Sequence, residues 1–291
     1  MPTNPPTNPN VRHVLAALHA QVEALGAHEL GTRAGRDPEE LHQMRVAVRR
    51  LRAILRAARS LFERKWVREL RSELDWLSAA LGRVRDLDVA RVCLAGEVAA
   101  LEPAERGPAP RLLRRLDADR ARARDALRVA LDSPRYPKLL TRLRTSMARP
   151  RLSASDVSLV DVAAAEFRKL RRAAKALPGH PDADDLHEIR IKVKRARYAA
   201  ELVAGAAGQR GARFIEQAKA LQDILGEHQD AVVIEEYLHE NVDGGEAAQV
   251  LGKHLLKRQR KRRKKARGAF FEEWPKLERR GRKAWSATPA T

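Results

Sequence analysis

The chain has 291 residues, with 58 Lys or Arg against 38 Asp or Glu, so its formal net charge is +20. Hydrophobic residues make up 44% of it, too many for a disordered polycation, and only 4% of the residues are aromatic. We therefore expect a folded protein with a polyanionic partner. A single cysteine, Cys93, excludes an intrachain disulfide and a cysteine-built zinc site, and no apolar run is long enough to cross a bilayer.

The hydrophobic pattern predicts an all-α protein, because apolar residues recur at helical spacing and strand-like alternation is missing. The stretch 1–10 lacks the basic and apolar segments of a signal peptide and predicts a disordered lead. The helices expected in the first half are 11–28, 38–60, 63–80, 84–101, 109–132 and 135–147. Those in the second half are 157–177, 182–204, 210–225, 229–240 and 246–284, with a break near Pro275 and a tail at 285–291.

Three segments recur in the same order, which predicts an internal duplication. LHQMRVAVRRLR at 41–52 aligns without a gap on LHEIRIKVKRAR at 186–197. A Leu-Gly pair followed by an aspartate occurs at Leu81, Gly82 and Asp86, and again at Leu225, Gly226 and Asp230. YPKLL at 136–140 is echoed by WPKLE at 274–278. We expect two pseudosymmetric helical bundles, 11–150 and 151–284.

The repeated helix carries a row of cations beside its apolar face. In the first copy the row is His42, Arg45, Arg49, Arg52 and Arg56, with Arg50 off to the far side. In the second copy it is His187, Arg190, Lys194 and Arg197, with Arg195 in the position of Arg50 and Glu201 in that of Arg56. Like charges three or four residues apart destabilise a free helix, and no acid lies within 45–59. The pattern therefore favours a ligand with closely spaced negative charges, such as phosphates, over a solvated basic face.

Other charged residues give weaker signals. The basic runs at 120–128 and 253–267 fit either a binding face or a solvated surface. The two repeated histidines could bind phosphate, bind a metal or pack structurally. No metal is expected, because neither has a further ligand at i+3 or i+4, although a site shared by both histidines stays open. Asp86 and Asp88 are expected to tether basic side chains rather than to hold a catalytic metal pair.

The common motifs of several catalytic sites are missing from the sequence. It contains no GxxxxGK[ST], HExxH, GxSxG or strand-linked GxGxxG motif, and no ExE pair of carboxylates. We therefore expect neither enzymatic activity nor a cofactor.

The H-x-x-R-x-x-x-[RK]-R-x-R pattern, present twice and followed each time by L-G-x-x-x-D, resembles the CHAD family, the conserved histidine α-helical domain. This resemblance covers about residues 11–284. It implies two helical bundles with a basic groove or cavity between them, and binding of inorganic polyphosphate without catalysis. The implied ligand-binding residues are His42, Arg45, Arg49, Arg50 and Arg52 from one bundle, and His187, Arg190, Lys194, Arg195 and Arg197 from the other.

We thus predict a polyphosphate-binding module. Its predicted binding residues are those that the resemblance implies, together with Arg56 from the first row. Sequence-nonspecific nucleic-acid binding is the second choice, since single-strand binders need aromatic platforms and Tyr198 is the only aromatic candidate near either row. A polyphosphate-processing enzyme is the third choice. We expect a cytoplasmic protein without a membrane partner, with polyphosphate granules as a further location. Histidine contributions should strengthen binding in mild acid.

Overall fold

The computed structural model describes residues 8–155, 157–242 and 244–285, and the fold of these residues is all-α, as predicted. Residues 1–7 of the predicted lead and 286–291 of the predicted tail lie outside the described residues. The first five helices are α1 (Pro9–Ala27), α2 (Glu29–Ala34), α3 (Pro38–Ala57), α4 (Arg64–Ala99) and α5 (Ala109–Asp132). The other five are α6 (Arg135–Ala148), α7 (Leu159–Lys175), α8 (Ala183–Leu202), α9 (Ala204–Asn241) and α10 (Glu246–Trp285). Short 3-10 turns lie at Arg59–Leu61 and Pro103–Glu105.

The two helices that carry the cationic rows begin with strong local signals. The Asp37 side chain accepts a hydrogen bond from the Glu39 amide at 2.8 Å, and Pro38 occupies the first position of α3. At the start of α8, Asp182 and Asp185 form a reciprocal capping box. Such caps satisfy amides that have no partner within the helix, so they determine where each helix begins.

The apolar faces of α3 and α8 lie in one continuous core. Met44, Val48 and Leu51 of α3 are fully buried, as are Ile189 and Val193 of α8. Helix α3 packs against α1 and α4, whereas α8 packs against α7 and α9. Helices α3 and α8 also pack against each other, so the rows beside their apolar faces come together in the middle of the molecule.

The breaks predicted at both Leu-Gly pairs are wrong, because α4 and α9 run through them without interruption. A glycine inside a helix costs about 1 kcal/mol relative to alanine. Leu81 and Leu225 are both buried at these points, and their packing offsets that cost. The change of direction in α9 comes earlier, at Gly208, whose φ of 56° is readily available only to glycine.

The ends of the chain are also more helical than predicted. Helix α10 continues through Pro275 to Trp285, so the predicted break is wrong; Phe270 and Leu277, on either side of the proline, are buried in the core. Trp285 packs edge-on against Phe214, with ring centroids 5.8 Å apart, and so belongs to the fold rather than to the tail. At the other end, α1 begins at Pro9, and the Asn8 side chain caps it.

The short helix α2 and a contact between the two chain halves were not predicted. Phe62 and Leu152 form an isolated antiparallel bridge, flanked by a hydrogen bond from the Glu63 amide to the Arg151 carbonyl at 2.9 Å. The division into two duplicated bundles at about 150 stays a prediction. No helix in the described part of the chain is long and apolar enough to span a membrane.

Candidate functional site: a cationic cluster between two helices

Four of the predicted binding residues come together where α3 and α8 meet. The charges of Arg45 and Arg49 on α3 act on both Arg190 and Lys194 on α8, lowering the pKa of each of these α8 groups. We call these four residues the central cluster. They belong to segments 145 residues apart in the sequence, so the fold converts two separate rows into one concentration of positive charge.

Two carboxylates, at matching positions of α4 and α9, face the central cluster. Arg45 Nη2 lies 3.6 Å from Asp86 Oδ1. Burial raises the pKa of Asp230. The charge of Arg190 lowers this pKa, and the charge of Asp86 raises it further. The prediction that Asp86 tethers a basic side chain is therefore confirmed. Even with both acids ionised, the four cations of the cluster are only half neutralised.

The cluster is also poorly solvated. Burial lowers the pKa of Arg45 and of Arg190, and it lowers the pKa of Lys194 to about 7, with Arg190, Arg49 and Arg45 adding to the last effect. The Nε atoms of Arg49 and Arg190 are buried without a hydrogen-bond partner among the described residues. Burying charged or donor groups without partners is costly, so an anion with several oxygen acceptors would relieve this site.

A glycine lets α9 approach the cluster. A Cβ at Gly226 would lie 3.8 Å from Nη2 of Arg190, so any longer side chain would occupy space next to the guanidinium. The second Leu-Gly pair therefore provides room beside a cation rather than the turn that we predicted. No such contact exists at Gly82 in the described structure.

The next cation along each row is neutralised locally. Arg52 Nε lies 2.5 Å from Asp75 Oδ1, and its Nη1 donates a hydrogen bond to Ser78 Oγ at 3.0 Å. Arg197 is buried, with its Nε 3.0 Å from Glu201 Oε1 and its guanidinium 4.6 Å from the ring centroid of Tyr198. These two predicted site residues are therefore largely committed to intramolecular partners.

Three further predicted residues lie away from the central cluster. Arg50 is exposed, as expected for the far side of α3. Arg56, at the end of its row, lies in the field of Arg195 on α8; burial lowers the pKa of Arg56, and Arg195 and Arg71 lower it further. Arg195, which we predicted to face away with Arg50, is instead half-buried and electrostatically coupled to the first row.

The two repeated histidines have different surroundings. His42 is half-buried, its Nδ1 is buried without a hydrogen-bond partner among the described residues, and burial together with Arg85 lowers its pKa. His187 is exposed, and its Nδ1 lies 2.6 Å from Gln229 Oε1. In the ligand-free protein these surroundings disfavour the charged imidazole of His42. The stronger histidine contribution in mild acid stays a prediction.

Helix α4 contributes two cations that were not predicted from the sequence. Arg85 acts on both His42 and Arg45, and Arg71 acts on Arg56 and has a buried Nε without a partner among the described residues. Arg85 lies between Gly82 and Asp86, within a repeated segment, so the repeat could have indicated its role. Arg71 lies in a region with no repeat, and only the packing of α3 on α4 identifies it.

By contrast, the basic run on α5 is neutralised. Arg120 and Arg124 both contact the buried Asp88, at 2.7 and 3.2 Å, which confirms the tethering role predicted for this aspartate. Arg122 and Arg128 pair with Asp119 and Asp125 on their own helix. This run therefore fits a structural surface. Among the described residues, no group of three or more His, Cys, Asp or Glu side chains is placed to hold a metal ion.

Comparison with known proteins identifies the family. Residues 16–239, from within α1 to near the end of α9, match the family model described as the CHAD domain. The chain belongs to the CHAD family. The resemblance carried by the two repeated motifs is thereby confirmed, and α10 lies beyond the matched residues of this CHAD domain.

Relatives of this CHAD chain occur among both sequences and structures. Two uncharacterized proteins of Mycobacterium tuberculosis, Rv2226 of strain H37Rv and MT2285 of strain CDC 1551, are each 35% identical over 251 residues, which cover 80% of this chain and 45% of each relative. The chain thus spans less than half the length of these relatives. The CHAD domain from the plant Ricinus communis has a TM-score of 0.70 at 28% identity, covering 96% of this chain and 92% of that one. PptA from Streptomyces chartreusis shares the fold, with a TM-score of 0.77 at 23% identity over 92% of this chain and 100% of that chain.

Proposed function

We propose that this CHAD protein binds inorganic polyphosphate at the central cluster and does not act on it chemically. The observation that carries the proposal is the convergence of four cations in a partly buried site that two carboxylates face: Arg45, Arg49, Arg190 and Lys194. A polyphosphate chain carries about one negative charge on each repeating unit and offers several acceptor oxygens on each phosphorus. It therefore matches both the charge and the unpaired donors of the cluster.

The binding mechanism follows from counterion release. Each cation of the cluster that contacts a phosphate displaces a condensed counterion from the polymer, so affinity falls as salt rises. Four contacts should give a slope of about −2.8 in a plot of log affinity against log salt, at about 0.7 for each contact as for single-stranded nucleic acids. The proposal includes association with polyphosphate in the cytoplasm, both as free chains and in granules.

Nucleic-acid binding remains the second candidate, and the surroundings of Tyr198 count against its single-stranded form. Tyr198 is the one aromatic residue of α3 and α8, and it is buried with the Arg197 guanidinium over its ring. It is thus not available to stack on a base. A competition assay separates the candidates: polyphosphate should stay bound when duplex DNA or RNA is added at equal phosphate concentration, and displacement by either would reverse our ranking.

The variant that tests the site is Arg45→Glu/Arg190→Glu. We expect it to abolish polyphosphate binding in a titration at low salt, because it replaces two cations of the cluster with anions beside Asp86 and Asp230. Arg114→Glu/Arg144→Glu is the matched control: it makes the same change in net charge at exposed positions of α5 and α6, and it should keep its affinity within about threefold.

Two measurements keep this test interpretable. Circular dichroism should show the same helical content for both variants as for the parent chain. Retained affinity in a folded Arg45→Glu/Arg190→Glu variant would move the site away from the central cluster. Release of inorganic phosphate from polyphosphate by the parent chain, with or without divalent metal, would contradict the non-catalytic proposal.

A further inference from the structure

A second cationic site lies at the junction of α10, α9 and the start of α8. A cavity of about 180 Å³ is lined there by the residues that we call the α10 pocket: Pro181, Asp182, His228, Arg260, Arg263, Lys264 and Arg267. Four of these seven residues are cationic, and all four come from the basic run of α10. Basic residues of this run lie on nearly every face of α10, so only the fold shows which of its side chains share a cavity.

The positive charge of the α10 pocket is only half compensated. Asp182 is engaged as the N-cap of α8, and the buried Glu235 pairs with Arg263 at 2.5 Å. Arg260, Lys264 and Arg267 have no ion pair within the described parts of the chain. The Nε atom of Arg263 is buried without a hydrogen-bond partner among the same residues. The pocket therefore has both net positive charge and an unsatisfied donor, which suit an anion with oxygen acceptors.

One of the residues that line the pocket is a buried histidine. His228 is buried, and burial, with added repulsion from Arg263 and Arg267, lowers its pKa to about 4. Its imidazole is uncharged at pH 7, so it can serve there as a hydrogen-bond donor or acceptor without adding to the repulsion among the arginines. The matching position of the first Leu-Gly segment holds the apolar Val84, so that segment lacks the histidine of this pocket.

The α10 pocket adjoins the central cluster through one turn of α9. Arg262, next to Arg263, pairs with Glu227 at 2.7 Å, and its charge also acts on Asp230, the carboxylate that faces Arg190. Gln229, which lies between Glu227 and Asp230 in the sequence, forms a side-chain hydrogen bond with His187. Charged and polar side chains of residues 227–230 thus contact α10 on one side and α8 on the other.

We propose that the α10 pocket is a second contact for the same phosphate chain, which runs from the central cluster past His187 to Arg260 and Lys264. This inference rests on the proposed function and deepens it, because it predicts a dependence on polymer length. Tripolyphosphate fills one cationic site only, whereas a long chain contacts both. A long chain also offers more overlapping positions at which a single site can bind, which raises its apparent affinity statistically. The preference for long chains should exceed this statistical gain.

The experiment compares two double variants of the full chain. Arg260→Gln/Lys264→Gln removes two charges that line the pocket, and Lys261→Gln/Lys265→Gln removes two exposed charges from the adjacent positions of the same helix. We expect the first to weaken binding of long-chain polyphosphate about tenfold and to make the salt slope shallower by about 1.4. Its affinity for tripolyphosphate should be unchanged, and the second variant should behave like the parent chain.

Each other outcome has a defined meaning. Equal weakening by both variants would reduce the α10 run to a general electrostatic attraction and overturn the inference. Equal loss for tripolyphosphate and long chains would make the pocket a separate small-anion site, which also overturns it. An unchanged Arg260→Gln/Lys264→Gln variant would overturn the inference while leaving the central cluster intact, whereas failure of the parent chain to bind any polyphosphate would remove the proposed function itself.

Discussion

The cationic rows of α3 and α8 share a sequence pattern but differ in how the fold treats their charges. Each row faces one acid of another helix at its centre, but on α3 the outer Arg52 also meets an acid of another helix, Asp75 of α4. On α8, the row ends in an internal pair, Arg197 with Glu201. The α8 row also carries a lysine at the position of Arg49, where burial and four arginines lower its pKa to about 7.

This difference shows that the two copies of the repeated motif are not electrostatically equivalent. Arginine keeps its charge under any condition that proteins meet, whereas lysine loses its proton when it is desolvated beside other cations. We infer that the α3 row provides permanent charge and the α8 row provides an adjustable one. The predictions below test that division.

The largest effect is expected from Lys194→Met. It should lower polyphosphate affinity about tenfold or more, since one of four clustered cations is lost, while stabilising the free protein at pH 6 by about 1–4 kcal/mol. The folded pKa of about 7 lies below the unfolded value of 10.5, so the cost of the charged lysine is fully present below pH 7 and disappears as pH rises toward 10.5.

Thermal unfolding at pH 6 and pH 10, together with binding titrations, checks both parts. Lys192→Met, on the same helix but paired with Glu188 at 3.5 Å, is the matched control and should not stabilise the protein. A lower melting temperature for Lys194→Met at pH 6 would show that the lysine is not under the repulsion we describe. Arg49→Met should weaken binding to a similar degree.

An intermediate effect is expected on proton linkage. The groups that act on Lys194 are Arg190 and Arg197 of its own helix and Arg45 and Arg49 of α3, all cationic, so a bound polyanion should raise its pKa. Binding should therefore take up a proton between pH 7 and 8, and affinity should fall as pH rises from 7, by up to about tenfold for each pH unit. Calorimetry in two buffers of different ionisation enthalpy measures this uptake.

The variant Lys194→Arg isolates the source of that linkage. Because arginine stays charged, this variant should bind with an affinity that is nearly independent of pH between 7 and 8. An undiminished proton uptake in Lys194→Arg would assign the linkage to another group. His42 is not a candidate in this range, because its pKa is already below its ordinary value of 6.5.

The smallest effect is expected from releasing the outer arginines. Asp75→Asn frees Arg52 to contact the ligand and should raise polyphosphate affinity about twofold, the scale of a partly exposed ion pair. Glu201→Gln should leave the affinity unchanged, because Arg197 stays buried over the Tyr198 ring. A titration of both variants at low salt compares them, and an equal gain for both would show that the two rows end in the same way.

The sequence was sufficient for most of the helices and for the two cationic rows. Helix α5 has the bounds that its periodicity predicted, and the capped starts of α3 and α8 lie at or next to their predicted positions. These features depend on local chemistry: helical spacing of apolar residues, N-caps and first-turn acids. Membership of the CHAD family could likewise be inferred from short motifs, because they keep their spacing.

What could not be predicted depends on contacts between distant segments. The continuity of α4 and α9 through Gly82 and Gly226 is decided by core packing, which single-sequence patterns do not contain. The participation of Arg85 and Arg71 depends on which face of α4 lies against α3. Arg197 is buried and paired with Glu201, whereas its position in the motif predicted a cation that is available to a ligand.

The carboxylates Asp86 and Asp230 give the central cluster a built-in competitor. Their charges attract the same guanidinium groups that an incoming anion needs, so a ligand gains only the difference between its own attraction and theirs. A small monovalent ion such as chloride offers too little to displace them, whereas a chain of phosphates engages several cations at once. We therefore expect the two acids to set a valence threshold: Asp86→Asn/Asp230→Asn would leave the protein more avid but less selective for polymers over small anions.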